Sequence, residues 1–178
     1  MREVADRLPK GRTLCLGDGE GRNGVFLAQL GHDVVTVDLS PVGVVKARRL
    51  AADRGTTIDA RVADLETFDL GQASWDCIVS VFCHLPPALR HKVHSGVPAA
   101  LRPHGCFVLE AYRAANVGRG VGGPQNQEMT VELEDVLGDI GAAHGMVIEI
   151  GREIERSIVE GKYHNGMSAT TQVLARKS

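Results

Sequence analysis

The chain has 178 residues, a length that suits one domain with one hydrophobic core. Its hydrophobic share of 43% is that of an ordinary globular protein, and no apolar run reaches the roughly 20 residues needed to span a bilayer. A formal net charge of −2 gives no general attraction to nucleic acid or to an anionic membrane. Because the N-terminus lacks the apolar core of a signal peptide, we expect a cytoplasmic protein whose cysteines are free thiols.

Strand-like and helix-like stretches alternate along the first two thirds of the chain, which is typical of a mostly parallel sheet covered by helices. The Ser40-Pro41 pair is a strong helix start, since Ser caps a helix and Pro suits its first position. In chain order, the predicted strands are residues 13–16, 33–37, 57–62, 75–81 and 106–111, and the predicted helices are 23–30, 41–54 and about 87–102.

The last third of the chain has a different pattern. Residues 113–130 are rich in glycine and polar residues and predict a long loop, which is either a lid over a site or a surface excursion. A predicted helix over 131–143 precedes two strand-like runs, 146–159 and 167–176. Because no helix separates these two runs, they must pair antiparallel. The sequence therefore predicts one α/β domain over residues 1–178, with a mostly parallel sheet and an antiparallel C-terminal strand.

A glycine-rich turn lies between the first predicted strand and the first predicted helix. Its glycines are Gly17, Gly19 and Gly21, and Asp38 ends the next strand. Glycine lets the backbone bend tightly and lets a ligand lie against bare peptide, while a carboxylate in this place can accept hydrogen bonds from both hydroxyls of a ribose. The pattern indicates a nucleoside-binding site.

Two classes of ligand use such a layout. A nicotinamide cofactor favours G-x-G-x-x-G from the end of the strand, and in that register the third glycine would fall on Arg22. A shifted match that ends at Gly24 begins two residues late. S-adenosylmethionine (SAM) carries no phosphate and fits the spacing of glycines 17, 19 and 21. We therefore favour SAM over NAD, and a glycine turn with no ligand is a third interpretation.

The segment GDGEGRNGVFLAQLGHDVVTVDLS resembles class I SAM-dependent methyltransferases, and is most similar to their small bacterial tellurite-resistance-type branch. The resemblance extends through ARVADLETFDL, WDCIVSVFCHLPP, LRPHGCFVLEAY and VEGKYHNG, and so covers most of the chain. It implies a Rossmann-like three-layer sandwich with a seven-stranded sheet whose last strand is antiparallel. It also implies a methyl-transferring enzyme with SAM as its cofactor.

By position, the resemblance implies that the glycine-rich turn lines the methionine end of SAM and that Asp38 holds the ribose, with Leu39 against the adenine. Asp64 would accept a hydrogen bond from the adenine amino group. The alternative for Asp64 is a loop or helix-cap aspartate with no role in binding. Many family members carry an acid where Cys15 stands, so the ammonium contact falls to Asp18 or Glu20. The implied cofactor-binding residues are Gly17, Asp18, Gly19, Glu20, Gly21, Asn23, Asp38, Leu39, Ser40, Asp64, Leu65, Ser80, Val81 and Phe82.

Candidates for proton transfer are His84 and His164, because histidine titrates near neutral pH. For His84 the alternative is a loop histidine bonded to a backbone carbonyl. His91 and His94 have a spacing compatible with a metal, but without a third ligand at a clear spacing we expect both to face solvent and expect no metal site.

The leading hypothesis is an enzyme that methylates a small molecule, such as a tellurium or selenium oxyanion or a thiol. After the fourth strand the chain reads VFCHLPP, without the Asn/Asp-Pro-Pro-aromatic run of nucleobase amino methylases, so we expect no nucleic-acid substrate. The alternatives are a SAM-binding protein with little turnover and a nicotinamide-dependent oxidoreductase.

Related methyltransferases carry an N-terminal segment that closes over the substrate, and only about a dozen residues precede the first strand here. We expect the 113–130 loop and the 160–166 turn to provide that cover, with Arg113 and Arg119 available to an anionic acceptor.

Overall fold

A computed structural model describes residues 1–141, 144–159 and 165–178. Within these residues the strands are β1 (Arg12–Leu16), β2 (Asp33–Asp38), β3 (Asp59–Val62), β4 (Trp75–Val81), β5 (Leu101–Tyr112), β6 (Met146–Val159) and β7 (Asn165–Lys177). The α-helices are α1 (Arg22–Gln29), α2 (Pro41–Asp53), α3 (Pro87–Ala100) and α4 (Leu133–Ile140). Short 3-10 turns form at Ala5–Arg7, Ala114–Asn116 and Gln127–Met129.

The strands form one seven-stranded sheet in the order β3-β2-β1-β4-β5-β7-β6. Strands β1 to β5 pair in parallel, and β7 lies antiparallel between β5 and β6. This confirms the predicted Rossmann-like sheet with its antiparallel C-terminal strand. The strand order reverses at β1, which has β2 on one side and β4 on the other. In open α/β sheets, ligands bind beyond the carboxyl ends of the strands at such a reversal.

The core lies on both faces of the sheet because neighbouring residues of a strand point to opposite faces. In β1, Leu14 and Leu16 pack with α3 and α4, while Cys15 packs with Leu27 of α1. Residues 1–8 pack on the same face as α1, where Leu8 is buried. All four cysteines are free thiols, as predicted.

Most predicted boundaries differ from the structure by no more than two residues, and the two largest differences are at β5 and α4. Strand β5 begins at Leu101, five residues before the predicted Cys106; Leu101 pairs with Trp75, and the register of β4 with β5 then shifts before Cys77 pairs with Cys106. His104 takes a left-handed φ of 65° within this stretch, and Arg102 is anchored by a 2.7 Å bond from its Nη1 to Asp76 Oδ2. The charges and the proline of this segment concealed the strand from pattern analysis.

The second difference is in α4, which is shorter than the predicted helix over 131–143. The end of that prediction, residues 142–143, lies outside the described residues. Among the residues that the structure describes, no helix has the length and apolar character that a membrane crossing requires.

Candidate active site

The glycine-rich turn has the backbone geometry that its sequence predicts. Gly17, Gly19 and Gly21 all have left-handed φ angles, of 56°, 56° and 82°. At Gly21 a Cβ atom would lie 2.6 Å from Cβ of Ala47, so glycine lets α1 and α2 approach each other. At Gly19 a Cβ atom would meet no atom within 4 Å, so this peptide faces open space. A ligand can therefore lie directly against the turn.

Asp38 connects this turn to the next helix. Its Oδ2 accepts a 2.8 Å hydrogen bond from the Gly19 amide, and its Oδ1 accepts one of 2.8 Å from the Ser40 amide. Ser40 in turn caps α2, since its Oγ accepts from the Gly43 amide at 3.1 Å. The carboxylate is thus fixed at the end of β2, next to the open peptide of Gly19.

The residues predicted to contact adenine lie at the same carboxyl edge of the sheet. The Leu39 side chain is 68% exposed, which is unusual for leucine and leaves an apolar surface beside Asp38. Asp64 is exposed and accepts a 2.8 Å bond from the Glu66 amide, as a loop aspartate does. Leu65 is buried in the core, so its side chain supports this edge from below.

Asp18 and Glu20, the two acids predicted to meet the ammonium of SAM, both have partners within the protein. Asp18 accepts hydrogen bonds from the Gly24 amide at 3.0 Å and from Asn23 Nδ2 at 3.3 Å, and so caps α1. Burial raises the pKa of Asp18 to about 6, against the opposing effect of these hydrogen bonds. Glu20 is exposed and pairs with Lys46 at 2.7 Å, which lowers the pKa of Glu20.

A cavity of about 610 Å³ opens beside the glycine-rich turn. It extends along the sheet face that also carries α1, past β4 and β5 to β7 and β6. Of the predicted cofactor residues, it is lined by Gly17, Asp18, Gly19, Glu20, Asn23, Val81 and Phe82. The other predicted cofactor residues do not line the cavity; they are Gly21, Asp38, Leu39, Ser40, Asp64, Leu65 and Ser80. A volume of this size suits an organic ligand.

At the end of β4 the chain takes a strained turn. Ser80 is buried, and Phe82 has a left-handed φ of 55°, a conformation that large side chains seldom adopt. The Phe82 amide donates a 2.7 Å bond to the Glu110 carbonyl, and the Phe82 ring stacks on Tyr112 with centroids 4.7 Å apart. Such strain is concentrated at functional sites in proteins.

His84 also stacks on Tyr112, with ring centroids 5.5 Å apart. Its Nδ1 lies 2.9 Å from the Met129 carbonyl oxygen and must carry the proton, because a carbonyl can only accept. This is the backbone contact that sequence analysis gave as the alternative to a general base, and His84 does not line the cavity. The other candidate base, His164, lies outside the described residues.

Sequence analysis missed a polar cluster on the cavity wall. The carboxylate of Glu110, near the carboxyl end of β5, is buried and accepts from Arg156 Nε at 2.7 Å and from Arg156 Nη2 at 2.9 Å. Gln172 Nε2 also donates to Glu110, at 2.9 Å, and Thr170 Oγ1 donates to the same carboxylate at 3.4 Å. Burial raises the pKa of Glu110, but the bonds from Arg156 and Gln172 outweigh it, so the net direction is downward. The only sequence signal was a glutamate within an apolar strand.

Arg113 and Arg119, proposed for an anionic acceptor, both pair with acids of β6. Arg113 Nη2 lies 2.6 Å from Glu153 Oε2, and Arg119 Nη2 lies 2.6 Å from Glu155 Oε1. These ion pairs attach the loop after β5 to the edge strand of the sheet.

The expectation that His91 and His94 both face solvent is wrong for His94, which is 2% exposed. Its Nδ1 lies 3.5 Å from Asp139 Oδ2, and His91 Nδ1 lies 2.6 Å from Asp139 Oδ1. Asp139 belongs to α4, so tertiary packing of α4 on α3 buries a histidine that helical spacing alone left exposed. Within the described ranges, no cluster of histidine, cysteine and acidic side chains has the composition of a metal site.

Comparison with known proteins places this geometry in a family. Residues 13–105, more than half of the chain, match the family model described as a methyltransferase domain. A 2-heptyl-1-hydroxyquinolin-4(1H)-one methyltransferase of Mycobacteroides abscessus is 27% identical over 64% of this chain and 52% of its own length. An uncharacterized methyltransferase of Synechocystis sp. is 33% identical over 58% of this chain and 47% of its own length. The chain thus spans about half the length of these curated relatives.

Among solved structures, TehB from Haemophilus influenzae superposes with a TM-score of 0.79 at 18% identity, over 99% of this chain and 61% of that protein. This similarity concerns the fold. Together with the family match and the glycine-rich turn, it gives the assignment: the chain belongs to the methyltransferase domain family, as a class I, SAM-dependent member.

Proposed function

We propose that this chain catalyses transfer of a methyl group from SAM to a small-molecule acceptor. The observation that carries the proposal is the open peptide of Gly19, bonded to Asp38 and beside a cavity of about 610 Å³. In this proposal Asp38 holds the ribose hydroxyls, the exposed Leu39 side chain packs on the adenine ring, and Asp64 accepts from the adenine amino group. When bound, SAM supplies an electrophilic methyl group on a sulfonium.

The protein's contribution to the reaction is mainly orientation. Holding two reactants in line can supply about 7–11 kcal/mol of the barrier in favourable cases. The side chains of Val81 and Phe82 line the cavity next to the glycine-rich turn and make that part of it apolar. An acceptor that is already nucleophilic needs no strong base in such a site. This fits the position of His84, whose Nδ1 proton is committed to the Met129 carbonyl.

The acceptor in this proposal is a soft nucleophile. The resemblance to the tellurite-resistance-type branch suggests a tellurium or selenium oxyanion or a thiol, and softness suits a sulfonium methyl donor. The Mycobacteroides abscessus relative, by its name, acts on a hydroxyquinolone, which is an organic acceptor. The volume of the cavity is compatible with either class.

Two measurements test the proposal. Calorimetry should show binding of SAM and of S-adenosylhomocysteine (SAH) in the micromolar range and no binding of NADH; the reverse result would overturn the assignment. Methyl transfer from labelled SAM to tellurite, selenite, thiophenol and 2-heptyl-1-hydroxyquinolin-4(1H)-one then identifies the acceptor class. Binding of SAM with transfer to none of them would favour a SAM-binding protein with little turnover.

A further inference from the structure

The buried Glu110–Arg156 pair shares a cavity with the glycine-rich turn. Strand register places Val81 of β4 beside Glu110, Glu110 beside Gln172 of β7, and Gln172 beside Arg152 of β6. Leu16 of β1 pairs with Ser80 of β4, so the next residues on the two strands, Gly17 and Val81, also lie side by side. Neighbouring strands are about 4.8 Å apart, which puts the backbones of Gly17 and Glu110 roughly 10 Å apart.

The methionine end of SAM needs partners for two charges, an ammonium and a carboxylate. Of the two acids first predicted for the ammonium, Asp18 accepts from the Gly24 amide at the start of α1, and Glu20 is exposed and pairs with Lys46. Cys15, which stands where related proteins carry an acid, is 1% exposed and belongs to the core. The Glu110 carboxylate also lines the cavity, is buried, and sits next to a guanidinium.

We propose that the Glu110–Arg156 pair is the subsite for the zwitterionic amino-acid end of SAM. Glu110 accepts from the ammonium, and Arg156 donates to the carboxylate. Gln172 is a positioning residue, because its Nε2 holds Glu110 and its Oε1 accepts from Arg152 Nε at 2.9 Å. The inference rests on the proposed function, because it names the residues that hold one end of the same ligand.

Charge and geometry both support this assignment. An ion pair and a zwitterion are each neutral overall and can align with opposite charges facing, so no net charge is buried on binding. Buried charges interact more strongly than exposed ones, since less water screens them. The bidentate bond between Glu110 and Arg156 fixes both side chains before the ligand arrives, which reduces the entropy lost on binding.

The test compares SAH with 5′-methylthioadenosine, which keeps the nucleoside and the thioether but lacks the amino-acid end. Calorimetry is carried out on the full chain and on the Glu110→Gln and Arg156→Lys variants. Arg156→Lys retains the positive charge opposite Glu110. It should therefore remain folded and keep the test possible even if Glu110→Gln fails to fold. We expect each variant to bind SAH roughly tenfold or more weakly and to bind 5′-methylthioadenosine within about twofold of the wild type.

Glu149→Gln is the matched control. Glu149 also lies on β6 and pairs with an arginine of β7, Arg176, at 2.5 Å, but it does not line the cavity. This variant should bind both ligands as the wild type does. Equal loss of both ligands in Glu110→Gln, or unchanged SAH affinity in both cavity variants, would overturn the subsite assignment alone. Failure of the wild type to bind SAH would overturn the proposed function as well.

Discussion

At the scale of single residues, Asp38 joins three segments of the cofactor edge. Its carboxylate accepts from the amides of Gly19 and Ser40, and its carbonyl oxygen accepts from the Ala63 amide at 3.0 Å. One residue therefore sets the relative positions of the glycine-rich turn, the start of α2 and the end of β3. The carboxylate at the end of β2 thus shapes the site, and in our proposal it also holds the ribose.

Substitution of Asp38 by alanine should weaken SAH binding strongly. Loss of a hydrogen bond to a charged acceptor costs about 1.5–3 kcal/mol, or roughly ten- to a hundredfold in affinity. The variant keeps the bond of its backbone carbonyl to the Ala63 amide, and circular dichroism checks that it remains folded. Asp33→Ala, at the exposed opposite end of β2, is the control and should leave SAH affinity unchanged. An unaltered dissociation constant for Asp38→Ala would show that the ribose is held elsewhere.

Because of Asp18, the free energy of unfolding should change with pH in the direction opposite to that of most carboxyl groups. Burial raises the pKa of Asp18 from its ordinary 3.8 to about 6, so between these values the folded chain holds a proton that the unfolded chain releases. The stability that this group contributes therefore falls as the pH rises from about 4 to about 6. Asp18→Asn stays neutral and should gain melting temperature relative to the wild type across this window. A difference that stays constant from pH 4 to pH 7 would contradict the assignment.

At the scale of elements, the loop between β5 and α4 is docked on the sheet. Asn116 is buried, and its Oδ1 accepts a 3.0 Å bond from the Ala169 amide of β7 while its Nδ2 donates to the Gly122 carbonyl at 2.9 Å. Gly123 packs so closely on Tyr112 that a Cβ atom would lie 2.7 Å from the ring. The loop thus covers the aromatic stack at the end of β4; Phe82 of this stack lines the cavity, while the residues of the loop do not.

Asn116→Ala should release this loop. Losing the buried amide leaves the Ala169 amide without its partner, at a cost of about 1–3 kcal/mol. Amide exchange over residues 117–123 should become at least several-fold faster, and turnover with the acceptor found by the transfer assay should fall more than SAH affinity. Asn126→Ala, in an exposed turn of the same loop, is the control. Turnover that survives faster exchange unchanged would exclude the loop from the reaction.

How far the sequence predicted these elements depends on whether the determining contacts are local. The strand–turn–helix around Gly17, the cap at Ser40 and the final hairpin follow from local patterns, and the structure has them. The Glu110–Arg156 pair could not be predicted, because strand register alone brings together residues 46 positions apart in the chain. The burial of His94 likewise depends on where α4 docks. Local patterns therefore predicted the glycine-rich turn, the helix cap and the hairpin, while the polar cluster of the cavity wall needed the tertiary structure.

At the scale of the whole molecule, the sheet connects every part of the site. The glycine-rich turn follows β1, Asp38 ends β2, Phe82 follows β4, and Glu110 lies in β5. Cores on both faces run through the same seven strands, so the parts of the site cannot separate without breaking the sheet. From this continuity we propose that the described residues fold as a single domain.

The last prediction follows from that continuity: unfolding should be a single cooperative transition. Trp75, the only tryptophan, is buried at the start of β4 and reports the centre of the sheet by fluorescence, while far-UV circular dichroism reports all elements. The two melting curves should share one midpoint. SAH at about 100 times its dissociation constant should stabilise the fold by about 2.7 kcal/mol. For a chain of this size, that corresponds to a rise of roughly 5–10 °C in both midpoints, and NADH at the same concentration should give none. Two separate midpoints, or a rise seen by only one probe, would show that part of the chain unfolds independently of the site.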